Sequence, residues 1–411
     1  MALNALISGL GVLLKLICGL AANKILSTQL GPAAFGTWGN VFSLATLYTT
    51  FSNGGISQGL IARLSSPGRT DRARATWLSG GMLFVLGMPL LIAVWHAGFR
   101  ELNIVSGAAW LTPLAALVLA VVAGLALHIQ AALLSQGRSR LNAMVVALSG
   151  LLALASYWTF VQTDSVQSAV HGLLAGFGAT LAVWLLVAAA TGTRWLGGVR
   201  PSREALAAAC SLAPYVAIAL APAVVGTAAV IAVRETIAMR LGLDAAGLWQ
   251  GMFRISDAVM AMAQAVVGFV LLPEVFRSES PHRTLRGRLR GYVLLVAAGG
   301  ALGLLILAFG ADRIVRLLYS DQFASIAPLL WIELLGDAIK CLAMPFVAFF
   351  IYQRNLRYSW ILELMFSICF VLATYVLTGI AGLAGAPIAY VLANLSLLLT
   401  AFVMFWRTRD A

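Results

Sequence analysis

Lys15, Arg234, Glu235, Arg254, Asp257, Glu333, Asp337, Lys340 and Glu363 all stand inside long apolar runs of this sequence. If lipid surrounds those runs, each charge costs at least about 2.5 kcal/mol, which makes each a functional-site hypothesis by default. Their chemistry is that of binding and proton exchange. Ammonium and guanidinium groups hold anions, carboxylates hold cations or protons, and nearby amides and hydroxyls bind neutral polar groups. Nothing in the set reads as catalytic.

Helical spacing sorts these groups into faces. Asn4, Ser8, Gly11, Lys15 and Ala22 recur every three or four residues on one face, expected to look inward. Lys15 has no acidic neighbour in its own run or elsewhere in the first six, and is the strongest single candidate for holding an anion. Asn40, Ser43, Thr50, Gly54 and Ser57 make an uncharged stripe that reads as a wet wall opposite it. Gln250, Arg254, Asp257, Ala261, Gln264 and Gly268 repeat the pattern, as do Glu333, Asp337 and Lys340, and then Glu363 with Ser367 and Thr374.

Several of these groups also have a plainer reading. Arg254 with Asp257, and Asp337 with Lys340, stand three apart, so each pair could simply neutralise itself. Arg234 and Glu235 read as side chains snorkelling to the interface. His128 reads as a helix-end polar residue rather than a proton relay. Pro214 and Pro222 interrupt the seventh run and free carbonyls there, as a gating kink or as ordinary membrane prolines. Cys18, Cys210, Cys341 and Cys369 lie far apart in apolar runs without a CxxC pair, so neither a disulfide framework nor a metal site is indicated.

The elements that position these residues follow from composition. Of 411 residues 61% are hydrophobic and 10% charged, and the mean hydropathy is +0.94, a balance that excludes a water-soluble protein of this size. Twelve apolar runs, near 3–26, 36–61, 77–97, 108–134, 142–161, 168–191, 206–234, 246–273, 291–310, 326–352, 359–379 and 384–406, are long enough to span about 30 Å of hydrocarbon as helices. The alternating ten-residue pattern of a membrane barrel is absent. The expected fold is therefore an all-α polytopic membrane protein of about twelve transmembrane helices. Lys15 at the centre of the first run suits a retained helix better than a cleaved signal peptide.

The net charge of +12 would suggest nucleic acid in a soluble protein; here it is sorted by membrane side. Eighteen basic residues, including Arg63, Arg72, Arg138, Arg203, Arg286 and Arg357, fall in one set of loops, and five in the opposite set. That asymmetry places both termini in the cytoplasm, with some attraction to anionic membrane lipids, and no nucleic-acid partner is needed.

The chain also repeats. LGPAAFGTWGN at 30–40 aligns without gaps to LGLDAAGLWQG at 241–251, and SQGRSR at 135–140 echoes YQRNLR at 352–357. Each pair sits at equivalent topological points. The expected domains are an N-terminal six-helix lobe at 1–195, a basic cytoplasmic linker at 196–204 and a C-terminal six-helix lobe at 205–411, parallel lobes related by an axis along the membrane normal.

With these two halves, the turn at Leu30 to Gly39, WQGMFRISDAVM at 249–260 and LLPEVFR at 271–277, the chain resembles the Wzx-type polysaccharide flippases, which carry O-antigen repeat units or lipid III. These belong to the multidrug/oligosaccharidyl-lipid/polysaccharide exporter superfamily. The likeness covers nearly the whole chain. It implies two pseudo-symmetric lobes in a V around a central cationic cavity, and movement of an undecaprenyl-pyrophosphate-linked oligosaccharide across the bacterial inner membrane by alternating access. Lys15, Arg254, Lys340, Arg63, Asn40 and Gln264 would then hold the headgroup, and Asp257, Glu333, Asp337 and Glu363 could use protons to reset the empty carrier. The implied partners are the lipid-linked oligosaccharide, membrane lipids, a polysaccharide polymerase and a chain-length regulator, with no cofactor.

A drug or cation antiporter of the same superfamily is the alternative, and it would need acidic groups, all of which lie in the second half. A membrane-bound sugar polymerase or transferase would need a large external loop, and none exceeds about 16 residues. ATP-driven transport by this chain alone is excluded because none of Lys15, Lys24 and Lys340 follows a Walker glycine.

Overall fold

A computed structural model describes residues 2–53, 55–64, 71–101, 105, 107–193, 202–267, 281–353 and 355–407. Among them there is no strand. Thirteen α-helices follow in order: α1 Ala2–Asn53, α2 Ile56–Leu64, α3 Asp71–Glu101, α4 Pro113–Ser135, α5 Ser139–Phe160, α6 Val166–Ala190, α7 Arg203–Ala221, α8 Thr227–Leu241, α9 Leu243–Val266, α10 Pro281–Leu318, α11 Leu330–Tyr352, α12 Leu356–Ala381 and α13 Gly385–Arg407.

These map onto twelve spans because two spans are interrupted and one helix is double. At Gly31 the backbone turns left-handed (φ 67°, ψ 173°) before Pro32, so α1 is two crossings joined at a kink. A straight 52-residue helix would be about 78 Å long, far beyond one bilayer. The second crossing continues into α2, and the seventh is α7 and α8 joined by a π turn at Pro222–Gly226. The helix runs through Pro214, so Pro222 alone marks the interruption expected in this run. Seven described stretches are long and apolar enough to cross a membrane, and two of them, Gly9–Asn53 and Arg357–Arg407, each hold two crossings.

Local chemistry sets several helix ends. The Thr112 side chain accepts from the Ala115 N–H and Pro113 opens α4; the Ser165 side chain caps α6; the Asn355 side chain caps α12 through Tyr358.

By contacts the described chain forms two units. One holds residues 1–29 and 40–224; the other holds Leu30–Gly39 and Val225–Ala411. These units are not the two sequence repeats. α7 groups with the first because it packs on α2 and α3, with Gly80 letting the α7 backbone at Ala205 and Ala209 approach so closely that a methyl at Gly80 would lie 2.8 Å from the Ala205 carbonyl. Glycine again sets the α1–α5 contact, Gly11 lying against Ala143 and Gly150 against Lys15. Of the linker expected at 196–204, residues 196–201 lie outside the described residues, while Arg203 and Glu204 already belong to α7.

In the second unit the repeated turns come together. Gly242 breaks the backbone between α8 and α9 (φ 92°, ψ 166°) just as its repeat equivalent Gly31 breaks α1. Repeat-equivalent residues touch: a methyl on Gly36 would lie 2.8 Å from Gly247 N, and one on Gly39 would lie 2.6 Å from the Gln250 amide carbon. The two copies of the repeated turn thus pack against each other at equivalent positions. Trp38 and Trp249, also equivalent, are both buried.

Candidate functional site

The second unit folds its ionisable groups into a polar core between α8, α9, α11, α12 and α13. Arg254 and Asp257, one turn apart on α9, form an ion pair at 3.2 Å. Of the two readings of that spacing, pairing is the observed one. The pair opens outward, for the Asp257 side chain is 45% exposed.

At the neighbouring Ser256 the arrangement closes. Ser256 and Tyr390 both donate to Asp337 Oδ1, Tyr390 at 3.0 Å, tying α9, α11 and α13 to one buried carboxylate. Gly336 makes room for the Tyr390 ring against α11. Of the two readings of the Asp337–Lys340 spacing, pairing is not the observed one among the described residues. Lys340 Nζ instead lies over the rings of Phe366 (5.3 Å) and Tyr390 (5.6 Å). Asp337 is instead held by the two hydroxyls. Glu333 is 3% exposed and neither carboxylate oxygen has a hydrogen-bond partner among the described residues. Glu363, half-buried on α12, abuts Gly226 at the end of the π turn. Gln264 is exposed near the end of α9.

Arg234 corrects the expectation of a snorkelling side chain. It is 1% exposed, donates through Nε to Gln250 Oε1 at 3.1 Å and lies 5.5 Å from the Trp249 ring. Its stem is held within the unit by the α8–α9 crossing and by Gly39, which leaves room for the guanidinium. The signal was present in the repeat itself: Gly39 stands where the second copy has Gln250. The roles of Ser256 and Tyr390 carried no such mark, since a lone serine and tyrosine in apolar runs are ordinary.

In the first unit Lys15 is exposed along the α1–α5 seam, and the small residues of its stripe serve helix contact: Gly11 packs on Ala143, and Ala22 is buried. Asn40 is fully buried, while Ser43, Thr50 and Ser57 are half-buried. Gly54 and Gly268 lie outside the described residues. Arg63 ends α2 with its guanidinium 5.0 Å from the centre of the Trp77 ring. His128 is not at a helix end; it is buried two turns inside α4, against Gly81. Sequence reasoning passed over His96, which is buried and bridges Tyr48 (2.5 Å) to the Leu111 carbonyl (2.5 Å). A histidine with both nitrogens engaged is a structural tie. No group of three or more His, Cys, Asp or Glu suited to a metal occurs among the described residues.

The backbone matches a transporter fold. An inward-facing multidrug resistance MATE family transporter of the MOP superfamily superposes with a TM-score of 0.70 at 18% identity, covering 96% of this chain and 94% of that one. The lipid II flippase MurJ, in an inward closed conformation, gives 0.73 at 12% identity over 97% of this chain and 87% of its own. The fold is thus that of these exporters, as the resemblance implied. In sequence the chain is similar to the lipid III flippase of Escherichia coli (strain K12), 26% identical over 412 residues, 97% of this chain and 96% of that protein. No protein-family model matches.

Proposed function

We propose that this chain is a flippase that carries an undecaprenyl-pyrophosphate-linked oligosaccharide, lipid III or an O-antigen repeat unit, across the bacterial inner membrane by alternating access. It acts as a transporter and not as an enzyme, with both termini in the cytoplasm. The observation that carries this reading is the similarity to a lipid III flippase along 97% of the chain and 96% of the relative, since a match confined to one lobe would speak only for the fold.

The site chemistry agrees with that cargo. A diphosphate carries about two negative charges, which basic groups would hold, Lys15 and Arg63 being the candidates in the first unit and Arg254 and Lys340 those in the second, with Asn40 and Gln264 offering amides to sugars. The lipid tail can remain in the bilayer while only the headgroup crosses within protein. Moving two negative charges outward is downhill by about 4.6 kcal/mol per 100 mV of inside-negative potential, so transport itself needs no proton. Asp257, Glu333, Asp337 and Glu363 would then serve the return of the empty carrier by exchanging protons. A polysaccharide polymerase and a chain-length regulator would act on the delivered cargo.

Complementation tests the reading. The intact chain should restore surface glycan in a strain lacking its lipid III flippase or its O-antigen flippase, and Lys15→Ala and Arg254→Ala should each fail. Rescue of neither strain would overturn it.

One observation favours a second reading. Buried Glu333, without a hydrogen-bond partner among the described residues, stands one turn from Asp337 as in a cation site, and the fold is shared with a multidrug transporter. A cation antiporter would extrude cationic dyes and lose that activity in Glu333→Gln.

A further inference from the structure

The first unit has a cleft of about 630 Å³ where the ends of α2, α3 and α7 meet, lined by Arg63, Arg72, Thr76, Trp77, Glu204 and Ser211 among others. That volume lies in the range of small-ligand sites. Its chemistry selects an anion. The Arg63 guanidinium carbon lies 5.0 Å from the centre of the Trp77 ring, and its Nε is buried with no hydrogen-bond partner among the described residues. Arg72 contacts Glu204 at 3.0 Å, but both side chains are largely exposed, 83% and 60%. An ion pair in water opens readily, so Arg72 is available to a ligand. The hydroxyls of Thr76 and Ser211 already donate to the carbonyls of Arg72 and Ala208, so among the described lining residues Arg63 and Arg72 supply the cationic donors. α3 and α7 both begin here, at Asp71 and Arg203, and point the positive ends of their backbone dipoles to the same place.

The position narrows the ligand. The charge distribution assigns this end to the cytoplasmic leaflet, and a tryptophan under a guanidinium is typical of the depth of lipid headgroups. We infer that this cleft binds the phosphate-ester headgroup of a lipid in the cytoplasmic leaflet, with Arg63 as the anchoring cation and Arg72 released from Glu204 to complete the grip. Two lipids share that chemistry: the diphosphate-linked cargo waiting to be carried, and an anionic phospholipid. The first source rests on the flippase reading; the anion site itself does not.

Native mass spectrometry of the full chain in detergent tests it, with phosphatidylglycerol and phosphatidylcholine as added lipids and inorganic pyrophosphate as competitor. Phosphatidylglycerol adducts should exceed phosphatidylcholine adducts, or pyrophosphate should bind in its own right. Arg63→Gln should lower occupancy about ten-fold, and Glu204→Gln should raise it a few-fold by freeing Arg72. Arg290→Gln, exposed on α10, should change nothing. Displacement of phosphatidylglycerol by pyrophosphate marks one shared site. Pyrophosphate binding without phospholipid preference points to the diphosphate cargo, and phospholipid preference without displacement points to the bulk lipid. Absence of both kinds of binding overturns the site, as does Arg63→Gln binding like the intact chain. If Arg63→Gln does not fold, the sign of the Glu204→Gln effect decides: weakened binding overturns the site. Because the readout is binding and not transport, it fails separately from the flippase reading.

Discussion

In the first unit Lys15 stands exposed along a helix seam, on a face whose glycine lets α1 close onto α5. In the second, Arg234, Glu333 and Asp337 are buried, and Lys340 and Arg254 are partly covered, within a core that ties α8 to α13. Both sets began as charges in apolar runs. The difference teaches that burial and fixed partners make Arg234 and Asp337 struts of the fold, whereas Lys15, and in part Arg254 and Lys340, stay reachable, as the headgroup role proposed for them requires.

The sharpest way to break that comparison is to remove a strut. Arg234→Met should cost about 3 kcal/mol, because it strands the buried Gln250 amide and deletes a charge-assisted hydrogen bond, and thermal unfolding in detergent reads the loss. Gly247→Ala should cost nearly as much, about 2 to 3 kcal/mol, since its methyl would overlap the Pro32 carbonyl and force the two repeated turns apart. Asp337→Asn retains an acceptor for Ser256 and Tyr390, so it should cost about 1 kcal/mol while slowing turnover, if the carboxyl group takes part in resetting the carrier. Lys15→Ala should move stability by less than about 0.5 kcal/mol, as an exposed side chain does, yet lower transport about ten-fold or more. A Lys15→Ala protein that unfolds easily, or an Arg234→Met protein as stable as the intact chain, would erase the contrast between the units.

How much of this was legible in sequence depended on period and on partners. The twelve spans, the repeat at Leu30 and Leu241 and the pairing of Arg254 with Asp257 rest on local spacing, which a sequence displays directly. Arg234 was misread because snorkelling is a property of a helix facing lipid, and only the crossing of α8 with α9 shows that Gln250 and Trp249 enclose it. Asp337 and Lys340 were separated by a tyrosine 53 residues further on, a partner that no one-dimensional spacing announces. Lys15 was found by its isolation, but its stripe proved to be a packing face as well, since glycine in a helix serves close approach as readily as a wet wall.

Carriage of a lipid-linked glycan is the activity proposed for this chain. The full chain reconstituted in vesicles containing a fluorescently labelled diphosphate-linked oligosaccharyl lipid, with an impermeant quencher outside, tests it most directly. Transport predicts that labelled headgroup becomes accessible from both leaflets, faster than in protein-free vesicles and slowed by Lys15→Ala. Label that stays fixed in its leaflet, in vesicles where the same protein moves a cationic dye, would contradict it.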